Sequence, residues 1–286
     1  MRLLIFGYGF SGRALARRMA AEGWTFAATC RDEARAAQIA ADGGRAVQVS
    51  DSVALMDEVA QAQALLATAP PGPDGCPALT ALRPSLERPD AGAAWIGYLS
   101  TTGVYGDRRG GWVTERSGLA AQSVEAARRV GAERDWQAAC RAAGRPLAIF
   151  RLPGIYGPGR SVFDRLREGR ARRITSPGQV FSRIHVDDLA SGLAASIARP
   201  RRDAIYNLCD DEPASNSQVV AYAAQLLGIE APPEVALADA TLPASALRFY
   251  AESKRVSNAL AKAELGWRPA YPTYREGLAA VLTGES

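Results

Sequence analysis

Short apolar-rich segments recur through the first half of the chain, at 2–6, 24–29, 45–49, 63–68, 93–99 and 146–151. Runs of four to eight apolar residues suit strands covered on both faces, and most of the intervals carry helical spacing. This alternation predicts an α/β fold, a Rossmann-type doubly wound parallel sheet with ligands bound beyond the carboxyl ends of its strands. The second half is less regular. Leu152–Arg160 is rich in Gly and Pro, Ile184–Ala198 has a helical pattern opening at Asp187-Asp188, and Ala204–Leu208 reads as a strand. Ser215–Leu227 reads as a helix, Pro232-Pro233 as a break and Ser253–Leu265 as a further helix. The expected organisation is a nucleotide-binding unit over 1–155, rejoined by about 179–208, with a smaller C-terminal substrate lobe over 156–286.

The first strand runs directly into Gly7-Tyr8-Gly9-Phe10-Ser11-Gly12, and an Ala- and Arg-rich helical pattern follows. In that setting a G-x-G-x-x-G match has a mechanism. Gly7 and Gly9 allow a tight turn and close backbone approach to a pyrophosphate, and Gly12 lets the helix pack on the strand. The helix N-terminus, with Phe10 and Ser11 in its first turn, offers free N–H groups and partial positive charge. At the end of the second strand, Arg31 suits a ribose 2′-phosphate and favours NADP(H). Asp32, one residue on, keeps NAD(H) open. Asp51, after the third strand, is either an adenine-side residue or a helix N-cap. Thr68-Ala69-Pro70, after the fourth, is expected to line the cofactor channel. Ser100-Thr101-Thr102-Gly103, after the fifth, lies where substrate and nicotinamide would meet.

Composition narrows the function further. The chain has 286 residues, a net charge of +4 and four widely spaced cysteines with no C-x-x-C pair. That spacing argues against a disulfide framework or zinc cluster and points to a reducing, cytoplasmic setting. No apolar run reaches membrane-spanning length, so no membrane partner is expected. Of 34 basic residues only Lys254 and Lys262 are lysine, and the arginines are scattered outside any nucleic-acid motif. No nucleic-acid partner is therefore expected. His185 is the only histidine, which leaves a histidine-rich metal site without support.

With these landmarks the chain resembles the short-chain dehydrogenase/reductase superfamily, in its extended, epimerase/dehydratase-like branch, as an atypical member. The resemblance is carried by the nucleotide turn, by Ser100-Thr101-Thr102-Gly103-Val104-Tyr105-Gly106, and by Arg151-Leu152-Pro153-Gly154-Ile155-Tyr156-Gly157-Pro158-Gly159. Ile184-His185-Val186-Asp187-Asp188, Ala204-Ile205-Tyr206-Asn207-Leu208 and Leu265-Gly266-Trp267-Arg268-Pro269 continue it. It implies an NAD(P)-binding oxidoreductase or epimerase acting on a small-molecule substrate, with a homodimer possible. Thr101 falls on the family's catalytic Ser/Thr. Thr102, Tyr105, Arg160 and Arg183 fall in the substrate region, the two arginines where a diphosphate often lies.

Three departures stand out. Phe6 occupies the first glycine place of the extended family's G-x-x-G-x-x-G. The helix after the Ser/Thr strand lacks the Tyr-x-x-x-Lys acid/base pair, and its places fall on Glu125 and Arg129. Glu125 is a candidate general base and Arg129 a candidate ribose or phosphate ligand, or the two form an exposed i,i+4 pair. Tyr250-Ala251-Glu252-Ser253-Lys254 repeats Tyr-x-x-x-Lys by letter, far along the chain. That match reads as chance, with Lys254 either a ligand contact or a surface helix position. The missing pair also raises a second reading, a non-catalytic protein that senses NADP(H).

Overall fold

The computed structural model describes residues 1–88, 92–243, 247 and 249–284. Its centre is a seven-stranded, wholly parallel sheet. The strands are β1 (Arg2–Phe6), β2 (Thr25–Cys30), β3 (Arg45–Gln48), β4 (Ala64–Ala67), β5 (Trp95–Thr101), β7 (Leu147–Leu152) and β11 (Ala204–Asn207). Their order is β11-β7-β5-β4-β1-β2-β3. The chain reverses its direction of winding between β1 and β4, which opens a crevice beyond their carboxyl ends. The register pairs Phe6 with Ala67 and Ala67 with Tyr98, so Gly7 and Thr68 leave the sheet side by side, while β5 runs on to Thr101 beside β7.

The apolar runs are buried on both faces, as helix-covered parallel strands require. One face holds Leu3, Ile5, Phe150 and Tyr206, the other Leu4, Leu65, Ile96 and Ile149. α1 (Phe10–Ala21) packs against α7 (Val186–Ala198) on the first face. α3 (Ser52–Gln61) and α4 (Pro77–Leu86) pack together on the second, where α4 also meets α5 (Val124–Ala142). Glu58 is fully buried between Arg2 and Arg45, at 2.6 and 2.9 Å, and joins α3 to β1 and β3.

The lobe has its own core of Phe163, Val220, Tyr274 and Leu278. It is built from α6 (Val162–Arg167), α8 (Asn216–Leu226), α10 (Tyr274–Gly284) and short parallel pairs of strands. β8 (Gly154–Tyr156) pairs with β10 (Arg183–His185), and β9 (Arg173–Thr175) with β12 (Glu234–Ala236).

Two expectations change here. The helical pattern over Ser253–Leu265 is helical only in α9 (Ala259–Leu265). Arg255–Val256 instead forms β13, paired with β6 (Trp112–Val113). Helical spacing loses to the ladder because Arg255 N and Ser257 N find carbonyl partners in Gly111 and Val113. At the start of α7 the N-cap is His185, whose Nδ1 accepts from Asp187 N at 3.3 Å. Asp188, in the first turn where the helical pattern opens, is buried and accepts from Ala270 N and Tyr271 N at 2.6 and 3.0 Å, tying the C-terminal tail to α7. Among the described residues no helix is long and apolar enough to cross a membrane.

Candidate active site

The nucleotide turn is fixed from both sides. Gly7 N donates to Thr29 Oγ1 at 2.9 Å, and Thr68 Oγ1 donates to Gly7 O at 2.6 Å. Gly7 has φ +98°, and a Cβ there would lie 2.6 Å from Thr68 Oγ1. The sharp turn therefore comes one residue after the place where the family puts its first glycine, and Phe6 stays buried in β1. A Cβ on Gly12 would meet Gly7 O at 2.8 Å and Ile5 Cγ2 at 3.0 Å, so α1 seats directly on β1. Gly9 differs from both: a Cβ there would meet nothing within 4 Å. Gly9 is also the N-cap of α1, and no side chain caps that helix. The end carries unsatisfied N–H groups facing open space at the switch point, which is the cradle a pyrophosphate fits.

Around this cradle, Tyr8 turns inward, stacks on Phe26 at 5.8 Å and donates to Asp42 at 3.0 Å. Arg31 is exposed beyond β2 and has no ion pair among the described residues, whereas Asp32 caps α2 (Glu33–Ala41) by accepting from Arg35 N at 2.8 Å. Asp51 serves as the N-cap of α3, accepting from Ala54 N at 2.9 Å. Thr68, Ala69 and Pro70 follow β4 at the crevice, with Ala69 buried and Pro70 exposed.

At the end of β5, half-buried Thr101 caps the 3₁₀ turn Thr102–Tyr105, its Oγ1 accepting from Gly103 N at 3.1 Å. This leaves its hydroxyl proton available to a substrate oxygen. Thr102 is largely buried beside it. Glu125 sits exposed in the first turn of α5, which Ser123 caps. Arg129 reaches back to the Leu99 carbonyl, lies 3.4 Å from Tyr98 Oη and covers that ring at 5.7 Å. It thereby braces the end of β5.

Tyr105, expected to meet the substrate, is fully buried. Its hydroxyl donates to Asn207 Oδ1 at 2.7 Å and accepts from Arg151 Nη1 at 3.1 Å, so it has no surface to offer a ligand. It belongs to a buried polar chain that sequence reasoning missed. Arg151 forks onto Glu133 at 3.1 and 2.7 Å, and Ser100 Oγ donates to Glu133 Oε1 at 2.5 Å. The chain continues through Asn207, whose N–H donates to Glu115 Oε1 at 2.8 Å, and burial raises the Glu115 carboxyl above its ordinary range. The members lie far apart in sequence; the pairing of β5 with β7 and of β7 with β11, and the packing of α5 on β5 and β7, bring them together.

Arg160 and Arg183 both line a cleft of about 510 Å³ in the lobe, together with Arg165, Tyr274 and Leu278. Arg160 lies over the Phe10 ring at 5.5 Å, so the cleft begins where the nucleotide turn ends. Arg183 Nη1 donates to the Phe181 and Ala214 carbonyls at 2.7 and 2.9 Å, and burial lowers its pKa despite the nearby Asp210 carboxylate. The acidic residues of the rim are already engaged: Asp164 closes the capping box of α6, and Glu168 pairs with Arg170. Arg160, Arg165 and Arg183 have no ion pair among the described residues.

No family model matches the chain. A 3-diazoavenalumate denitrifying reductase from a Streptomyces species is 30% identical over 140 residues, covering 46% of this chain and 45% of that protein. The chain thus spans under half the length of this curated relative. A conserved protein of unknown function from Silicibacter pomeroyi is 44% identical with a TM-score of 0.92, over 99% of this chain and 98% of that one. A Methylobacillus flagellatus protein described as an NAD-dependent epimerase/dehydratase is 26% identical at TM-score 0.72, over 99% and 98% of the two chains. The dTDP-glucose 4,6-dehydratase of Streptomyces venezuelae, solved with NAD bound, shares the fold at 23% identity and TM-score 0.80, over 99% and 96%. With superposition along the full length, the chain has the Rossmann fold of these epimerase and dehydratase structures.

Proposed function

We propose that the protein is an NADP(H)-dependent oxidoreductase or epimerase-like enzyme acting on a small anionic, phosphorylated or sugar-like compound. The observation that carries this reading is the open face of Gly9 at the uncapped start of α1, next to a cleft lined by Arg160, Arg165 and Arg183. Gly9, Phe10, Ser11 and Gly12 would hold the pyrophosphate by backbone N–H groups, with Thr68, Ala69 and Pro70 along the channel. When bound, the nicotinamide supplies or accepts hydride. Thr101 would hold the substrate oxygen with its hydroxyl, and Arg160 and Arg183 the anionic end. Glu125, exposed on α5, stands at the place of the usual tyrosine without the burial that proton abstraction there would call for. Arg129 braces the end of β5 through the Leu99 carbonyl.

Two observations support NADP over NAD. Arg31 has no ion pair, and Asp32 is already committed to capping α2. Arg31→Ala is expected to weaken NADPH binding about tenfold, or about 1.4 kcal/mol, and to leave NADH binding unchanged. Parallel fluorescence titrations with the two nucleotides check this, and equal losses for both would remove Arg31 from the site. The curated relative is a reductase, which favours an enzyme over a cofactor sensor.

The reading is tested by following NADPH oxidation across a panel of small phosphorylated and sugar-like aldehydes and ketones. With any compound turned over, Thr101→Ala should lower kcat by about 100-fold with NADPH affinity unchanged. Unchanged turnover would remove Thr101 from the mechanism.

A further inference from the structure

Two helix starts border the cleft that Arg160, Arg165 and Arg183 line, and both are closed by their own side chains. At α6, Ser161 Oγ accepts from Phe163 N at 3.2 Å, and Asp164 Oδ2 accepts from Ser161 N at 3.3 Å. At α8, Ser215 Oγ accepts from Gln218 N at 3.2 Å, and Gln218 Oε1 accepts from Ser215 N at 3.0 Å. Ser161 and Asp164 line the cleft, as does Asn216, the first residue of α8. A phosphate group is readily seated on free N–H groups at a helix start, as at the uncapped end of α1. In the cleft, each capping box turns a side-chain oxygen onto the N–H groups that would do this, and at α6 one of those oxygens is a carboxylate.

The other polar side chains of the cleft are largely spent within the protein. Asn216 Oδ1 accepts from Ile174 N at 2.9 Å, and Glu168 pairs with Arg170. The Tyr156 hydroxyl is buried against Gly277, in space that a Cβ there would fill. What remains is chiefly the guanidiniums and a floor of Val162, Val219, Val220 and Leu278, side chains of the lobe's own core. Arg183 spends Nη1 on the Phe181 and Ala214 carbonyls, and its other N–H groups have no partner among the described residues. A sugar brought here would set hydroxyls against valine and leucine side chains, where each hydroxyl without a partner costs free energy. A carboxylate matches the flat guanidinium fork, and an apolar body covers the floor.

We infer that the cleft takes a carboxylic acid with an apolar body, in preference to a phosphorylated or sugar-like compound, with Arg160, Arg165 and Arg183 on the carboxylate side. This assignment rests on the oxidoreductase reading above and narrows its substrate class. Arg160 lies over the ring of Phe10, the first residue of α1, so an acid held by Arg160 is next to the nucleotide turn.

The protein saturated with NADPH is titrated calorimetrically with 3-phenylpropionate, its amide, phenyl phosphate, glucuronate and glucose 6-phosphate. This series separates the charge, the kind of anion and the body that carries it. 3-Phenylpropionate is expected to bind at least about tenfold more tightly than each of the others. Arg160→Gln, at an exposed position, should weaken that binding about tenfold and leave the amide unchanged. A phosphate or glucuronate that binds as tightly as 3-phenylpropionate would overturn the class. Undiminished binding of 3-phenylpropionate to the Arg160→Gln protein would overturn the site. Titration of the same preparation with NADPH alone separates the two readings. Binding of NADPH without a preference for 3-phenylpropionate removes this assignment and leaves the cofactor site standing. Absence of NADPH binding removes the oxidoreductase reading, and with it the assignment of a substrate.

Discussion

Replacing Gly9 by Asp is expected to abolish nucleotide binding while leaving the fold as stable as before, or slightly more so. The two effects have different sources. Gly9 has φ −98° and ψ −164°, extended backbone open to any residue, and a Cβ there meets nothing within 4 Å. Aspartate is a better N-cap than glycine by a few tenths of a kcal/mol, and its charge suits the positive end of α1. The same carboxylate would occupy the N–H groups that the pyrophosphate needs and would repel it. We expect NADPH affinity to fall by more than about 100-fold, or about 2.7 kcal/mol, with Tm unchanged or raised. Gly7→Ala is the opposite case. Its φ of +98° and the 2.6 Å approach to Thr68 Oγ1 make an added methyl costly to the fold, by about 1–3 kcal/mol. Thermal denaturation and nucleotide titration of both variants check the pair. A Gly9→Asp protein that binds NADPH like its parent would show that the cradle is not the phosphate site.

Glu133→Ala should cost the protein about 3–5 kcal/mol of stability, because it leaves the Arg151 guanidinium buried without its partner. Both side chains are only 4% exposed, and the pair closes at 2.7 Å. Arg151 would retain the Tyr105 hydroxyl and the Glu115 carbonyl, neither of which carries a charge to offset its own. Ser100 would lose its acceptor too, at the residue preceding Thr101. For a chain of this size such a loss lowers Tm by roughly 10 °C. Urea denaturation gives the free energy, and a loss below about 1 kcal/mol would mean that water reaches Arg151 in the folded state. Glu133→Gln, which keeps an acceptor for Ser100 and removes only the charge, should lie between the parent and Glu133→Ala.

The elements governed by local pattern were the legible ones. The six apolar runs of the first half became strands within two residues of their expected bounds, since a strand covered on both faces needs only its own continuous apolar sequence. Gly7, Gly9 and Gly12 were readable because their spacing between a strand and a helix has one geometric solution. Features that depend on distant partners were not. Nothing in the sequence around Asp188 shows that its carboxylate serves the backbone of Ala270 and Tyr271, or that His185 rather than an aspartate caps α7. The strand at Arg255–Val256 was hidden by helical spacing, because its partner β6 lies more than a hundred residues upstream. Tyr105 stood in a motif at a strand end and was expected at the substrate; the burial that removes it is set by β7 and β11.

The central claim is the dinucleotide site, and calorimetric titration of the purified protein with NADPH, with NADH alongside, tests it most directly. Saturable NADPH binding at one site per chain, with NADH at least about tenfold weaker, is the result this account predicts. Failure to bind either nucleotide would contradict it, and would make the glycine turn a structural corner rather than a phosphate cradle.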